Sequence, residues 1–252
     1  MVYEPRTYRQ LFNPERFAGF TVQYLETDLL IGIDHPSFHK EIAEVAQEEV
    51  VKLRTRMDHY ILRQPSFETS LVPVRLLPGA PEEIKEMERA GLRTETGPLS
   101  SVAGMFAWHV GEKIRHLFNV REVVIENGGD YYIKVKEDLL ITVYAGNSPL
   151  SEKIAVIIPE HETPCGICTS SGTVGPSFSF GNADAVMVAC YSPVLADAWA
   201  TSLANRVHSP KDIGGVLTFS EQFPEILSLV IICGDKTGFR GNFEVRFVQT
   251  SA

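Results

Sequence analysis

Asp197 and Thr201 stand four residues apart in the run Ser192-Pro193-Val194-Leu195-Ala196-Asp197-Ala198-Trp199-Ala200-Thr201-Ser202-Leu203. Ser192 reads as an N-cap and Pro193 as the first helical residue, which puts the carboxylate and the hydroxyl on one helix face near the positive end of the dipole. The flanking alanines would let other main chain come close. A hard cation such as Mg2+ takes oxygen ligands, usually one or two carboxylates with phosphates and water, and this pair offers part of such a set. The competing reading is a buried Ala-rich helix in which Thr201 bonds the carbonyl one turn back.

Two further segments carry groups that a nucleotide-handling site would use. The β-branched run Val123-Val124-Ile125-Glu126-Asn127-Gly128-Gly129-Asp130-Tyr131-Tyr132-Ile133 is interrupted by two glycines and an acid. Consecutive glycines let a ligand approach the main chain, and Asp130 can accept hydrogen bonds from a ribose or base. A plain hairpin corner explains the same residues equally well. The second segment, Cys165 to Gly181, is crowded with glycine and hydroxyl residues. Its amides would suit an anion-binding nest, although the Gly-Lys-Ser/Thr of a Walker loop is absent. Val174, Phe178 and Phe180 are out of place in a solvated linker, so a loop packed at a site is expected.

The elements that must position these residues follow from periodicity. Residues 20–25 and 28–33 read as a hairpin turning at Glu26-Thr27. Ile42, Ala46, Val50, Leu53, Met57 and Ile61 form the apolar stripe of a long helix, and the His35-Pro36-Ser37-Phe38-His39 segment before it reads as loop and cap rather than a metal site. A Pro/Gly-rich crossing from Pro73 to Pro81 leads to a short acidic helix ending at Gly91. The next helix, about 100–118, contains Ala103 near its start and turns Val102, Phe106, Val110, Ile114 and Leu117 inward. Strands are expected near 121–126, 131–135, 139–144, 153–158, 184–190, 227–232 and 242–248, with helices near 193–206 and 210–222. That order suits an α+β fold, an antiparallel sheet covered on one face. No linker is long or polar enough to separate domains, so one compact unit over 1–252 is expected.

At 252 residues and 44% hydrophobic content the chain can bury a sizeable core. Its net charge of -9 argues against nonspecific nucleic-acid binding, which relies on Lys and Arg to neutralise phosphates. The N-terminal segment lacks the apolar core of a signal peptide and no run of eighteen apolar residues occurs, so no membrane association and a cytoplasmic location are expected. Of four cysteines, only Cys165 and Cys168 form a close pair. A single Cys-x-x-Cys is half a zinc site, and a redox dithiol would need a helix start after Cys165 where loop or strand is expected. Reduced free thiols are the simpler reading.

Taken in order, Ser101-Val102-Ala103-Gly104-Met105-Phe106-Ala107, Asn127-Gly128-Gly129-Asp130, Thr169-Ser170-Ser171-Gly172 and Ala196-Asp197-Ala198-Trp199-Ala200-Thr201 resemble the four signatures of the ApbE-like superfamily, which includes the flavin transferases. Gly166 through Gly175, followed by Ala183-Asp184-Ala185-Val186, resembles its UPF0280 branch. The resemblance implies a tandem T-fold-like two-layer architecture with mainly antiparallel sheets. Two similar halves, about 1–146 and 147–252, would flank a cleft. It further implies FAD in that cleft and Mg2+ near the pyrophosphate, with phosphoester transfer moving FMN from FAD onto a threonine of an acceptor protein. On that pattern Asp197, Thr201 and the Ala103 carbonyl would hold the metal. Asn127, Gly128, Gly129 and Asp130 would contact the flavin nucleotide, and Thr169, Ser170, Ser171 and Gly172 would line the phosphate or isoalloxazine region.

Two departures qualify the activity that this resemblance implies. The transferases carry Ala-Lys-Gly where this chain reads Ala103-Gly104-Met105, and His-x-x-Asp-Pro where it reads Ser177-Phe178-Ser179-Phe180-Gly181. The branch pattern also leads one to expect a histidine where Pro176 stands. A missing general base forfeits about 100- to 10,000-fold in rate, with His109, His161, His208 and Asp184 as substitutes that spacing does not rank. The expected function is therefore Mg-dependent binding of FAD or a related nucleotide, with FMN transfer or pyrophosphate cleavage. The alternatives are a noncatalytic flavin- or nucleotide-binding accessory protein and a thiol redox protein working through Cys165 and Cys168.

Overall fold

The computed structural model describes residues 13–173 and 180–248. The chain opens with the hairpin β1 (Phe17–Tyr24) and β2 (Thr27–Asp34), then α1 (Glu41–Arg63), the single turn α2 (Ser66–Thr69), α3 (Glu82–Thr94) and α4 (Val102–Phe118). Strands β3 (Val123–Asn127), β4 (Asp130–Lys134), β5 (Leu139–Thr142), β6 (Ile154–Ile158), β7 (Cys165–Ser170) and β8 (Ala185–Cys190) follow. The order closes with α5 (Pro193–Ala204), α6 (Ile213–Ser220), β9 (Ser228–Cys233), β10 (Lys236–Gly241) and β11 (Glu244–Phe247).

Eight strands form one antiparallel sheet in the order β1-β2-β3-β4-β7-β8-β9-β10, and β11-β6-β5 form a second sheet of three. The fold is therefore α+β with mainly antiparallel sheets. Strand alternation sends one set of side chains to each face. Leu29, Ile31, Val123, Ile125 and Tyr132 pack with α1 and α4, while Cys168, Val186, Val188, Leu229 and Ile231 pack with α5. The opposite face was expected to be uncovered, but Val124, Ile133, Ile167, Met187 and Val230 there lie against Ile141, Ile154, Val156 and Ile158 of the small sheet. Both faces of the central strands are thus dry. That explains β8 and β9, whose six residues each are all buried.

Helix limits shift where tertiary contacts override local signals. In α1, Tyr60 completes the buried stripe in place of Ile61, and its hydroxyl bonds Gln64 Oε1 at 2.6 Å. Helix α3 runs past Gly91 to Thr94 and ends at Glu95 in the left-handed region, φ 61°. Gly91 is needed inside it, because a Cβ there would lie 2.8 Å from the Thr96 carbonyl oxygen. Helix α6 is shorter than expected and follows a 3-10 turn, Pro210–Asp212, capped reciprocally by Ser209 and Asp212.

Two strands went unforeseen. β7 occupies the first part of the segment expected as a loop, since Cys165–Ser170 ladders with both β4 and β8. β10 is a half-exposed edge strand whose Gly238 and Gly241 hid it.

Candidate functional site

Asp197 lies in the second turn of α5, buried, and accepts a hydrogen bond from the Gly104 amide at 2.9 Å and one from the Ala103 amide. Those amides belong to the first turn of α4, whose donors lack partners within the helix and whose positive dipole end favours a carboxylate. The neighbouring Ser101 makes no side-chain cap. Burial nevertheless dominates and raises Asp197 to about 7, with the two amides pulling the other way.

The main chain comes close here because side chains are missing at the right places. A Cβ on Gly104 would lie 2.4 Å from the Pro193 carbonyl oxygen, and one on Gly166 would lie 2.3 Å from Pro193 Cα. Helices α4 and α5 and strand β7 thus meet at Pro193. Ser192 caps α5 as expected, accepting from the Leu195 amide at 3.3 Å.

Asp130 opens β4 on the same, helix-covered face. The preceding Gly128 and Gly129 adopt φ of 69° and 100°, which makes the β3–β4 connection a two-residue hairpin corner with Asn127 opposite Asp130. Asn127 Nδ2 donates to the Ala103 carbonyl at 3.2 Å, and Asp130 Oδ1 accepts from the Thr169 amide at 3.1 Å. Burial, and then the Asp197 charge, push Asp130 well above the ordinary carboxylate range, against the Thr169 amide and the Cys168 thiol, which stabilise its anion. Two buried carboxylates therefore face one another beside the start of α4.

The hydroxyl segment divides. Ser170 alternates with Cys168 onto the helix face, and its Oγ is buried with no hydrogen-bond partner among the described residues. Thr169 donates its amide to Asp130, and alternation turns its side chain to the face that Cys165 and Ile167 share. Ser171 Oγ bonds the Ala183 carbonyl at 3.4 Å, and the Gly172 amide donates to the same carbonyl at 2.9 Å. Phe180, expected to be packed, is 63% exposed. Val174, Pro176, Ser177, Phe178 and Ser179 lie outside the described residues. Thr201 follows Asp197 by one turn and is half-buried.

Cys165 and Cys168 do not form a dithiol. Three residues apart on a strand, they point to opposite faces, Cys165 into the core beneath the small sheet and Cys168 into the core beneath α5. All four cysteines are free and buried. Burial pushes the Cys165 thiol up to about 12 and Cys168 well above its usual value, the reverse of a reactive thiolate.

The substitute bases scatter. His109 pairs with Glu86 at 2.6 Å further along α4, and His161 sits on the 3-10 turn Glu160–Glu162. The His208 amide donates to Asp212, and its carbonyl accepts from Asn182. Asp184 alone lies beside the hydroxyl segment, accepting from Thr173 Oγ1 at 2.9 Å and from the Gly234 amide at 2.7 Å.

No cluster of three His, Cys, Asp or Glu side chains fit to hold a metal occurs among the described residues. What Asp197, Thr201 and the Ala103 carbonyl offer is a set of hard oxygens that phosphate and water could complete. Such a set fits Mg2+ rather than zinc. No helix among the described residues is long and apolar enough to cross a membrane.

A family model described as "AbpE bacteria" matches residues 9–216. A UPF0280 protein of Methanococcus maripaludis is 36% identical over 239 residues, 93% of this chain and 94% of the relative. One of Methanocaldococcus jannaschii is 35% identical over 221 residues, 86% and 87% of the two chains. Among solved structures, the apo flavinyl transferase ApbE of Pseudomonas stutzeri superposes with a TM-score of 0.53 at 14% identity, over 89% of this chain and 93% of that one. The ApbE protein of Thermotoga maritima does so with 0.57 at 14% identity, over 89% and 97%. At that identity the likeness is one of fold, and together with the close sequence relatives it establishes that the chain belongs to the UPF0280 family of the ApbE-like superfamily.

Proposed function

We propose that this protein binds FAD or a related flavin nucleotide with Mg2+ at the junction of α4, α5 and β4, and that FMN transfer to an acceptor protein or pyrophosphate cleavage is the reaction the site supports. The observation that carries this reading is the pair of buried carboxylates, Asp130 and Asp197, held beside the first turn of α4. Two such groups repel when both are ionised, and a cation held by Asp197 relieves the repulsion. Asp197, Thr201 and the Ala103 carbonyl are the assigned metal-holding oxygens. Asn127, Gly128, Gly129 and Asp130 contact the nucleotide, and Ser170, Ser171 and Gly172 line its phosphate or isoalloxazine region, with the Thr169 amide holding Asp130. Bound Mg2+ would supply charge stabilisation on the pyrophosphate.

Ser170 Oγ supports the reading independently, because a buried hydroxyl without a partner costs free energy unless a ligand completes it. The likeness in fold to the flavinyl transferase of Pseudomonas stutzeri makes a flavin nucleotide the first ligand to try. The second reading, a noncatalytic flavin- or nucleotide-binding protein, is favoured by the placement of His109, His161 and His208 in other surroundings.

Calorimetric titration with FAD, with and without Mg2+, followed by analysis for AMP and FMN, tests both. Mg2+-dependent binding with AMP release supports the enzyme, and binding with FAD intact supports the noncatalytic protein. Absence of binding under both conditions overturns the flavin assignment.

A further inference from the structure

Around Glu112, eight residues beyond Gly104 on α4 and about 12 Å away at the helical rise, the described residues line an open cleft of about 520 Å3. Glu86 of α3, Trp108, His109, Glu112 and His116 of α4, and Tyr191 after β8 are among its walls. The size falls within the span of roughly 300–1,000 Å3 usual for small-molecule sites. Neither Asp130 nor Asp197 is among its lining residues.

The wall chemistry differs from that of a phosphate site. No Lys or Arg lines the cleft, whereas two carboxylates do. Glu112 is fully engaged, bonded by Arg115 at 2.6 Å, by His116 at 3.2 Å and by the Tyr132 hydroxyl. Glu86 is not. Its Oε2 pairs with His109 Nε2 at 2.6 Å, while Oε1 has no hydrogen-bond partner among the described residues and the side chain keeps 19% of its accessibility. Tyr191, in the cleft wall, is 60% exposed, and its hydroxyl donates to Glu162. Trp108 adds a second aromatic surface. Aromatic faces with adjacent carboxylates attract cations, and the chain's net charge of -9 acts in the same direction.

We propose that this cleft is a second ligand site, specific for a small organic cation with a flat apolar body, whose charged nitrogen bonds Glu86 Oε1 while the body lies against Trp108 and Tyr191. The site is independent of the flavin assignment and excludes anionic ligands by the same carboxylates that recruit the cation.

The chain's two tryptophans make the test direct, since Trp199 is buried against Phe223, at 4.2 Å between ring centroids, in another part of the core. The indole N–H signals of the full chain, labelled with 15N, are followed at pH 7 against benzylamine, its neutral isostere benzyl alcohol, and benzoate. The expected result is a saturable shift of Trp108 with benzylamine, Trp199 unmoved, binding of benzyl alcohol at least about tenfold weaker, and no saturable shift with benzoate. Glu86→Gln should weaken benzylamine by about tenfold, toward the level of the alcohol. The Trp199 signal reports whether that variant is folded. Tyr191→Ala, at an exposed position, should weaken binding several-fold and serves if the first variant is unfolded. Equal binding of amine and alcohol, unchanged affinity in folded Glu86→Gln, or no saturable shift with benzylamine overturns the proposal. The readout needs neither FAD nor Mg2+, so its failure is distinguishable from failure of the flavin reading.

Discussion

The Gly104 amide donates to the Asp197 carboxylate at 2.9 Å across 93 residues of sequence, so a side chain of α5 caps a helix that is not its own. Asp197 thereby carries two roles, one in holding α4 in place and one in the proposed site. Replacing it with Ala would leave two first-turn amides unpaired at a cost of about 1–3 kcal/mol. Asn keeps an acceptor oxygen and should cost less, while removing the charge. Denaturant unfolding checks the first effect. Mg2+-dependent FAD binding checks the second, and its survival in Asp197→Asn would remove Asp197 from the metal set.

Ser170 should behave in the opposite way. Its Oγ is buried without a partner, so Ser170→Ala is expected to stabilise the unliganded protein by up to about 1 kcal/mol while weakening FAD binding. Unfolding curves with and without FAD would separate the two. A loss of stability in the unliganded variant would mean that the hydroxyl already has a partner.

Gly104→Ala and Gly166→Ala each bring a Cβ within 2.4 Å of Pro193 main-chain atoms. Neither clash can be relieved by a side-chain rotation, because the obstacle is backbone. Each variant should lose about 1–3 kcal/mol, read as a lowered denaturant midpoint at unchanged slope. By contrast Gly214→Ala and Gly215→Ala, with open space around the new Cβ, should be neutral or stabilising.

Stability of the unliganded chain should depend on pH in a particular direction. Asp197 is raised from 3.8 to about 7, and Asp130 is raised as well, so the folded state holds protons that the unfolded chain has released. Their contribution is present below about pH 4 and is lost as pH rises toward 7, with a slope of at most about 1.4 kcal/mol per unit per group. Glu122 and Glu225 act conversely: burial opposes their ionisation, but Arg16 and Arg93 hold them below the usual carboxylate range, so their contribution is lost as pH falls through that range. Between pH 5 and 8 the aspartate pair should therefore dominate. Urea midpoints across that window would fall with pH, and Asp130→Asn combined with Asp197→Asn should flatten the slope. A rising midpoint would contradict the burial of the pair.

The thiols should be silent. Cys165 and Cys168 face different cores and are raised by burial, so a disulfide-exchange reagent at pH 8 should leave both unmodified until the protein is denatured. Rapid modification of Cys165 in the native protein would revive the redox reading.

The sequence exposes the fold wherever one residue's neighbours alone decide its state. The Ser192-Pro193 start of α5 is local and is found where the caps put it, the α1 stripe holds except that Tyr60 takes the place of Ile61, and the first hairpin turns at Leu25-Glu26, one residue before the expected Glu26-Thr27. β7 was opaque because Gly166 and the hydroxyls after Cys168 look like a loop until β4 and β8 are seen on either side. The same holds at the site. Asp197 is recognisable as a carboxylate on a helix face, but its bond to Gly104 joins segments whose meeting depends on the glycines at Pro193. The Glu86–His109 pair likewise bridges two helices and has no signature along the chain.

Where Gly104 and Gly166 abut Pro193, nothing adjustable separates α4, α5 and β7. Side chains elsewhere in the core can change rotamer to absorb a displacement, but at this joint only main chain meets main chain. The separations among Asp197, the Ala103 carbonyl and β7 are consequently set by backbone van der Waals contact rather than by soft side-chain torsions. A ligand arriving there would have little ordering left to impose, so its association should be limited by desolvation of the two aspartates rather than by rearrangement of the protein.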